Sequence, residues 1–151
     1  NLRYIVICKN LSIAKIKTAG IPNKLTRTLI IDINFNEKFF ERAIHHEVFH
    51  MINDSHKDLF NKEEWQAFNK KKFKYSECST CNNGWNLELY NKTDGFLTEY
   101  SKSTASEDMA EIFSHLMFYK DKIYMDDQII EKKIQFIKNN ILRIDNTFNF
   151  R

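Results

Sequence analysis

His45-His46-Glu47-Val48-Phe49-His50-Met51-Ile52-Asn53-Asp54-Ser55-His56 carries four of the five histidines in this 151-residue chain. Around it Phe40, Ala43, Ile44, Val48 and Met51/Ile52 recur at intervals of three and four. That period predicts an amphipathic helix from about residue 36 to 53. Asn36 is placed to cap it, Glu37 suits its first turn, and Asn53-Asp54-Ser55 ends it.

Upstream the period is two. In 28–35, Leu29, Ile31, Ile33 and Phe35 alternate with Ile30, Asp32 and Asn34, which predicts a strand. Tyr4–Cys8 reads as a buried strand and 11–17 as a half-buried one, with Gly20-Ile21-Pro22-Asn23 as a turn. Downstream, 58–75 is a second helical segment, with Leu59, Trp65 and Phe68 inward and Lys70-Lys71-Lys72 solvated. Residues 76–100 are irregular, with turns at Asn82-Asn83-Gly84 and Thr93-Asp94-Gly95, and loops of that length are usually functional. A helix opens near Ser103–Glu107 and runs through Met117, and a final one spans about 126–142. Strands first and helices after them make an α+β fold.

The length is that of a single domain, 1–151. With 23 basic and 20 acidic residues the net charge is +3, too even for the basic field that nucleic-acid binding needs. A content of 42% hydrophobic and 14% aromatic residues excludes a disordered chain. No apolar run reaches the ~18 residues of a membrane span, and no signal peptide is visible. The chain opens on Asn1 rather than Met, as a processed or cut fragment would. Cys8, Cys78 and Cys81 are an odd number, so they are not a disulfide framework. The lone Cys78-Ser79-Thr80-Cys81 lacks the second pair of a structural zinc knuckle and reads as a local disulfide or two plain thiols.

His46-Glu47-Val48-Phe49-His50 is H-E-x-x-H in a helical window. Residues four apart leave one helix face, so both imidazoles can bind one metal ion. Zn²⁺ suits such nitrogen ligands. Glu47, about 100° round the helix, can act as general base toward the attacking water. A catalytic zinc needs a third protein ligand, and there are two candidates. His56 lies ten residues after His46, the metzincin spacing, with Asn53 at the position of the usual glycine. Asn tolerates the left-handed turn required there. The other candidate is Glu107 in Glu107-Asp108-Met109-Ala110-Glu111. Glu107 and Glu111 repel at i, i+4 on one helix, and a cation at Glu107 removes the conflict. Glu111 can then accept the outward N–H of a ligating histidine. Tyr100, seven residues earlier, can donate to a developing oxyanion.

His46–His50 followed by a long insertion and Tyr100-x6-Glu107-x3-Glu111 resembles the glutamate-zincin (gluzincin) metallopeptidases. The similarity is to anthrax lethal factor-like catalytic domains and bacterial Pro-Pro endopeptidases, and it extends through 95–101, 107–113 and the terminal helix around Ile134-Gln135-Phe136-Ile137. Trp65, Asn69, Phe73 and Tyr75 resemble uncharacterised bacterial zinc-binding metallopeptidases. The resemblance implies a zincin-like domain with one catalytic Zn²⁺, a protein or peptide substrate, and a secreted or cell-surface bacterial setting. It makes His46, His50 and Glu107 the metal ligands, Glu47 and Tyr100 the catalytic groups, and Glu111 the partner of a ligand histidine. The stretch from His50 to Glu107, with its C-x-x-C, is long for that group. Two other readings stand beside it: a metzincin-like peptidase using His56, and a zincin-fold binding module without activity.

Overall fold

The structure, a computed structural model, describes residues 2–13, 15–35, 37–81, 84–118 and 126–150. It is a mixed α+β fold with a small sheet and four α-helices among the described residues. Strands β1 (Tyr4–Cys8), β5 (Thr28–Asp32) and β4 (Gly20–Asn23) form one sheet in the order β1-β5-β4. Strand β1 runs parallel to β5, Tyr4 opposite Thr28, and β4 runs antiparallel to it, Gly20 opposite Ile31. Strands β2 (Ser12–Ile13) and β3 (Ile16–Lys17) make a separate short hairpin. Central strand β5 carries Leu29 and Ile31 into the interior, with almost no exposed surface.

Four strand expectations change. The half-buried strand expected over 11–17 is instead the exposed hairpin β2–β3. Tyr4–Cys8 forms a strand, but Tyr4, Ile5, Val6 and Ile7 are exposed, not buried, because α1 covers β4 and β5 and hardly reaches the edge strand β1. Its apolar run is what a buried strand would also have, so periodicity alone does not tell them apart. Gly20-Ile21-Pro22-Asn23 is a strand rather than a turn, and an edge strand tolerates the missing N–H of Pro22. Strand β5 stops at Asp32 instead of 35 because the Asp32 carboxylate accepts N–H groups from Asn10, Leu11 and Asn34, turning the chain.

Helix α1 (Phe40–Ser55) follows a 3₁₀ turn at Glu37–Phe39, and the expected cap Asn36 lies outside the described residues. The segment expected as a helix over 58–75 is helical only in α2 (Lys62–Ala67). There Asn61 caps by accepting the N–H groups of Glu63 and Glu64, and the three-lysine run lies beyond the last turn. Helix α3 is Ala105–Phe118, and α4 is Gln128–Ile144 with Asp127 as its cap. Of the Asn82-Asn83-Gly84 turn, the two asparagines lie outside the described residues. No helix among the described residues is long and apolar enough to cross a membrane.

The core lies between α1, α3 and α4, where Phe49, Met109, Phe113, Ile130 and Ile137 are almost fully buried beside Phe60 and Trp65. Helices α1 and α3 pack closely, with fully buried Ala110 on α3. On another side of α3 sits a buried polar knot. The Asp108 carboxylate accepts from Trp65 Nε1 at 2.8 Å, from the Tyr75 hydroxyl, and from Lys133 Nζ at 2.6 Å. Lys133 also donates to the Gly95 carbonyl at 2.6 Å. Gly95 has φ +82°, and an added Cβ would press on Ile129, so this tie requires glycine. The knot fastens α2, α4 and the irregular 76–100 stretch to α3, which fixes the helix that carries the glutamates.

Candidate metal centre

His46 and His50 are one turn apart on α1, and α3 brings Glu107 against both. His46 Nε2 and His50 Nε2 are 3.1 Å apart, and Glu107 Oε2 lies 2.8 Å from the first and 3.1 Å from the second. Tetrahedral zinc with bonds of about 2.0–2.1 Å holds its ligand atoms about 3.3 Å apart. The three atoms thus fit one small tetrahedral cation with little adjustment, and they form a possible metal-binding group.

The outward nitrogens are oriented as a metal would need. His46 Nδ1 donates to Glu111 Oε1 at 3.0 Å, so Nε2, which faces Glu107, is the nitrogen a metal would take on displacing its proton. Glu111 is held in turn by the Thr98 hydroxyl at 2.9 Å and by an ion pair with Arg42 Nη2 at 3.5 Å. His50 Nδ1 faces the Ser106 hydroxyl at 3.4 Å, itself contacted by Asn53 Nδ2 at 3.2 Å. The Tyr100 ring stacks on the His46 ring, with centroids 5.8 Å apart.

Electrostatics match the geometry. Burial disfavours a charged His46, but the carboxylates of Glu107 and Glu111 outweigh it and raise its pKa to about 10. Burial raises the Glu107 carboxyl, yet hydrogen bonds from both histidines hold it well below the ordinary value. Glu111 is lowered as well, with hydrogen bonding to His46 and the charge of Arg42 overcoming burial. Without a metal, a proton on His46 is the cation at this site. No Lys or Arg among the described residues forms an ion pair with Glu107.

Glu47 points elsewhere on α1, toward Gly20 of β4. A Cβ at Gly20 would stand 2.7 Å from Glu47 Cγ, so this close approach requires glycine. Burial pushes the Glu47 carboxyl up, with the neighbouring histidines opposing. Burial and the nearby Glu107 push the Tyr100 phenol up, so it remains a donor at neutral pH. Both residues line a cleft of about 480 Å³ with His46, Arg42 and Glu111. Cys78 and Cys81 form a disulfide, and the two residues between them, Ser79 and Thr80, line the same cleft.

Residues 16–144 match the model of a family described as "Putative zinc-binding metallo-peptidase". The chain belongs to this metallopeptidase family. No curated protein and no solved structure matches it. The family description names zinc, and His46, His50 and Glu107 form a group that could hold a metal ion.

His56 lies outside the metal group of this metallopeptidase-family chain. Helix α1 continues past Asn53 to Ser55, so no turn at Asn53 brings His56 round. Its Nδ1 faces the Ile52 carbonyl at 3.1 Å, and its ring lines a second groove with Lys24 and Phe148. Sequence reasoning missed Arg42, Thr98, Ser106 and Gly20. Arg42 was findable, since it lies one turn before His46 on the same helix face. Thr98, Ser106 and Gly20 carry no periodic or motif signal; only folding brings them to the site.

Proposed function

We propose that the protein is a zinc-dependent metalloendopeptidase of gluzincin type, a zincin-like single domain that hydrolyses peptide bonds in a protein or peptide substrate. The observation that supports it most is the convergence of His46 Nε2, His50 Nε2 and Glu107 Oε2 beside a half-buried glutamate one residue from His46. These three side chains would hold one catalytic Zn²⁺. When bound, zinc supplies Lewis acidity and lowers the pKa of water at the site. Glu47, its carboxyl raised by burial, takes the proton of the attacking water and later delivers it to the leaving amine. Tyr100 donates its phenol O–H to the oxyanion that develops on the substrate carbonyl. Glu111 keeps His46 in the tautomer whose Nε2 faces the metal position. A strand from the N-terminal half lies beside the base, and β4 is the one that touches Glu47. An extended substrate would pair along this edge.

The position of His56 at the end of α1 weighs against a metzincin arrangement. The intact Glu47 weighs against a binding module, which has no use for a base. Zinc content and peptidase activity of the wild type, Glu47→Ala, Glu107→Ala and His56→Ala test the reading. The expected result is that Glu107→Ala loses zinc, Glu47→Ala keeps zinc but loses cleavage, and His56→Ala keeps both. Zinc retained in Glu107→Ala and lost in His56→Ala would sink the ligand assignment. A zinc-loaded wild type no more active than Glu47→Ala across a broad peptide library would sink the peptidase.

A further inference from the structure

Of the metal group only His46 lines the cleft. The cleft follows one face of α1 back from Glu47 and His46 through Ala43 and Arg42 to Phe39, in the turn ahead of the helix. The eight steps from Glu47 back to Phe39, at about 1.5 Å each, make this floor about 12 Å long, the reach of about three to four residues of extended peptide. The walls are apolar and come from unrelated parts of the chain: Ile13 and Ile16 of the hairpin, Phe35, Phe39, Trp85 and Leu87. Ile13 and Ile16 are about half exposed, 53% and 49%, on a hairpin with little packing of its own. Apolar side chains held open at a cleft mouth gain by being covered.

Of the two cations that line this largely apolar trough, Lys17 and Arg42, the second is buried. The Arg42 side chain is only 5% exposed. Its Nη2 donates to the Leu87 carbonyl at 2.6 Å and sits 3.5 Å from Glu111, and its guanidinium lies over the Phe39 ring at 4.9 Å. Its Nη1 is buried and has no hydrogen-bond partner among the described residues. A buried charged donor left unpaired is costly, and native structures rarely keep one without a use for it. An acceptor brought in along the cleft would complete it, after a small shift of the covering side chains.

That acceptor is a neutral carbonyl rather than a carboxylate. Only one amino group of the fork is free, so the two-pronged pairing that favours carboxylates is not on offer. Glu111 already balances the guanidinium, and Glu47 offsets Lys17 in the same cleft, so the chain's own charges leave no surplus positive charge for a carboxylate. Arg42 precedes His46 by four residues, about 6 Å along the helix, or within about two residues of a peptide bond placed at the metal.

We propose that this trough is a selective subsite for an internal peptide segment, with a bulky apolar residue between Phe39, Ile16, Trp85 and Leu87 and its backbone carbonyl accepting from Arg42 Nη1. The subsite rests on the peptidase reading for the chemistry of its ligand, and its test does not require turnover. Zinc-loaded Glu47→Gln protein is titrated calorimetrically with acetylated, amidated hexapeptides of Gly, Ser and Ala, in which one Phe is moved along the frame. Phe at one position tightens binding about tenfold or more, and Ile16→Ser or Trp85→Ala in the same background removes most of that gain. Replacing the carbonyl of that Phe by a methylene weakens binding about tenfold or more, but by less than about threefold when Arg42→Met is added. Arg42→Lys, a milder change, gives an intermediate loss, and zinc content and Tm are checked for every variant.

Equal binding of all the Phe positions overturns the subsite. So does a methylene penalty that survives unchanged in both Arg42 variants. Tighter binding of free-acid than of amidated peptides, dependent on Arg42, overturns the carbonyl assignment in favour of a chain-end carboxylate. A wild type that cleaves without residue preference keeps the peptidase and loses the subsite. Selective binding with no cleavage by the wild type does the reverse.

Discussion

Glu107 and Asp108 are neighbours on α3 that face two different buried polar clusters. Asp108 meets Lys133 at 2.6 Å, with the Trp65 indole and the Tyr75 hydroxyl as further donors. The chain supplies its own cation there, on α4. Glu107 meets two imidazoles whose neutral forms bring no charge. Burial pushes the Asp108 carboxyl up and the Lys133 ammonium down, opposed by their mutual attraction, as in a pair that holds structure together. At Glu107 the carboxyl is driven down and His46 up, so in the metal-free protein a proton stands where a cation is wanted. A cluster closed by its own lysine is scaffolding, and one that needs a cation from outside is a site.

The difference breaks most visibly on deletion. Asp108→Ala leaves the Lys133 ammonium buried without a counter-charge, which costs about 3–5 kcal/mol and lowers Tm by about 10 °C, whether or not zinc is present. Glu107→Ala removes a carboxylate that the two histidines hold below its ordinary pKa, so its metal-free Tm falls too, but less, because His46 can shed its proton once that partner is gone. What it loses is stabilisation by zinc, which in the wild type reaches about 4 kcal/mol at a thousandfold excess over Kd. Thermal melts of both variants with zinc and with a chelator check this. A zinc-dependent Tm surviving in Glu107→Ala would erase the distinction.

Proton linkage sharpens it next. The His46 pKa is raised from 6.5 to about 10 in the metal-free fold. The native metal-free protein therefore holds a proton that the unfolded chain has lost above about 6.5. Its contribution to stability is full below that pH and is lost as pH rises toward about 10. Zinc needs His46 neutral and must displace this proton, so apparent zinc affinity rises by up to about tenfold per pH unit across the same window. The Tm gap between zinc-loaded and metal-free protein widens with pH. Calorimetry in two buffers of different ionisation enthalpy should show about one proton released per zinc at pH 8. Zero release would mean that His46 is already neutral.

Glu111→Ala tests whether the metal side depends on its outer ties. Loss of the carboxylate that orients His46 Nδ1 should weaken zinc binding about 10–100-fold with the fold intact. A competition titration against a chelating dye measures it. Zinc affinity unchanged from wild type would leave Glu111 as packing for Arg42 alone.

The metal side was legible because helix geometry writes it into the sequence. His46 and His50 at i, i+4, and Glu107 and Glu111 at i, i+4, announce two faces that can meet. The apolar period located α1, α3 and α4 to within a few residues. The scaffold side was not legible. Asp108 reads as one more acid in a helix's first turn, and Lys133 as one more solvated lysine on α4, and only the packing of the two helices pairs them. The N-terminal strands were misjudged for a related reason. An edge strand and a central strand can share an apolar composition, and what differs is the partner beyond the edge, which no local pattern encodes. The segment 58–75 kept a helical composition but is held largely by side-chain ties such as Gln66 to the Phe73 carbonyl at 3.0 Å.

Gly20 carries the comparison to Glu47, the proposed base. It is buried in β4, where an added Cβ would press on Glu47 at 2.7 Å and on Ile31 at 3.0 Å. Gly20→Ala would push the carboxylate by some tenths of an ångström or more, with no change in any ligand. Zinc affinity should hold while kcat falls about ten- to hundredfold. Equal losses in zinc content and kcat would mean that β4 supports the metal group as well as the base.

The smallest expected effect concerns the Cys78–Cys81 bridge, which belongs to neither cluster. It closes a four-residue loop whose Ser79 and Thr80 face the cleft, and Trp85 Nε1 donates to the Ser79 carbonyl at 2.8 Å. So short a loop adds little to global stability. Its effect is on the wall opposite α1, where freeing two or three side chains costs on the order of 1 kcal/mol of ordering when substrate binds. Cys78→Ser with Cys81→Ser, or reduction by a dithiol, should lower kcat/KM about fivefold, chiefly through KM, and leave zinc stoichiometry at its wild-type value. A second zinc taken up by the reduced wild type but not by the serine variant would make the thiols a metal site after all. The loop would then join the metal side of the comparison.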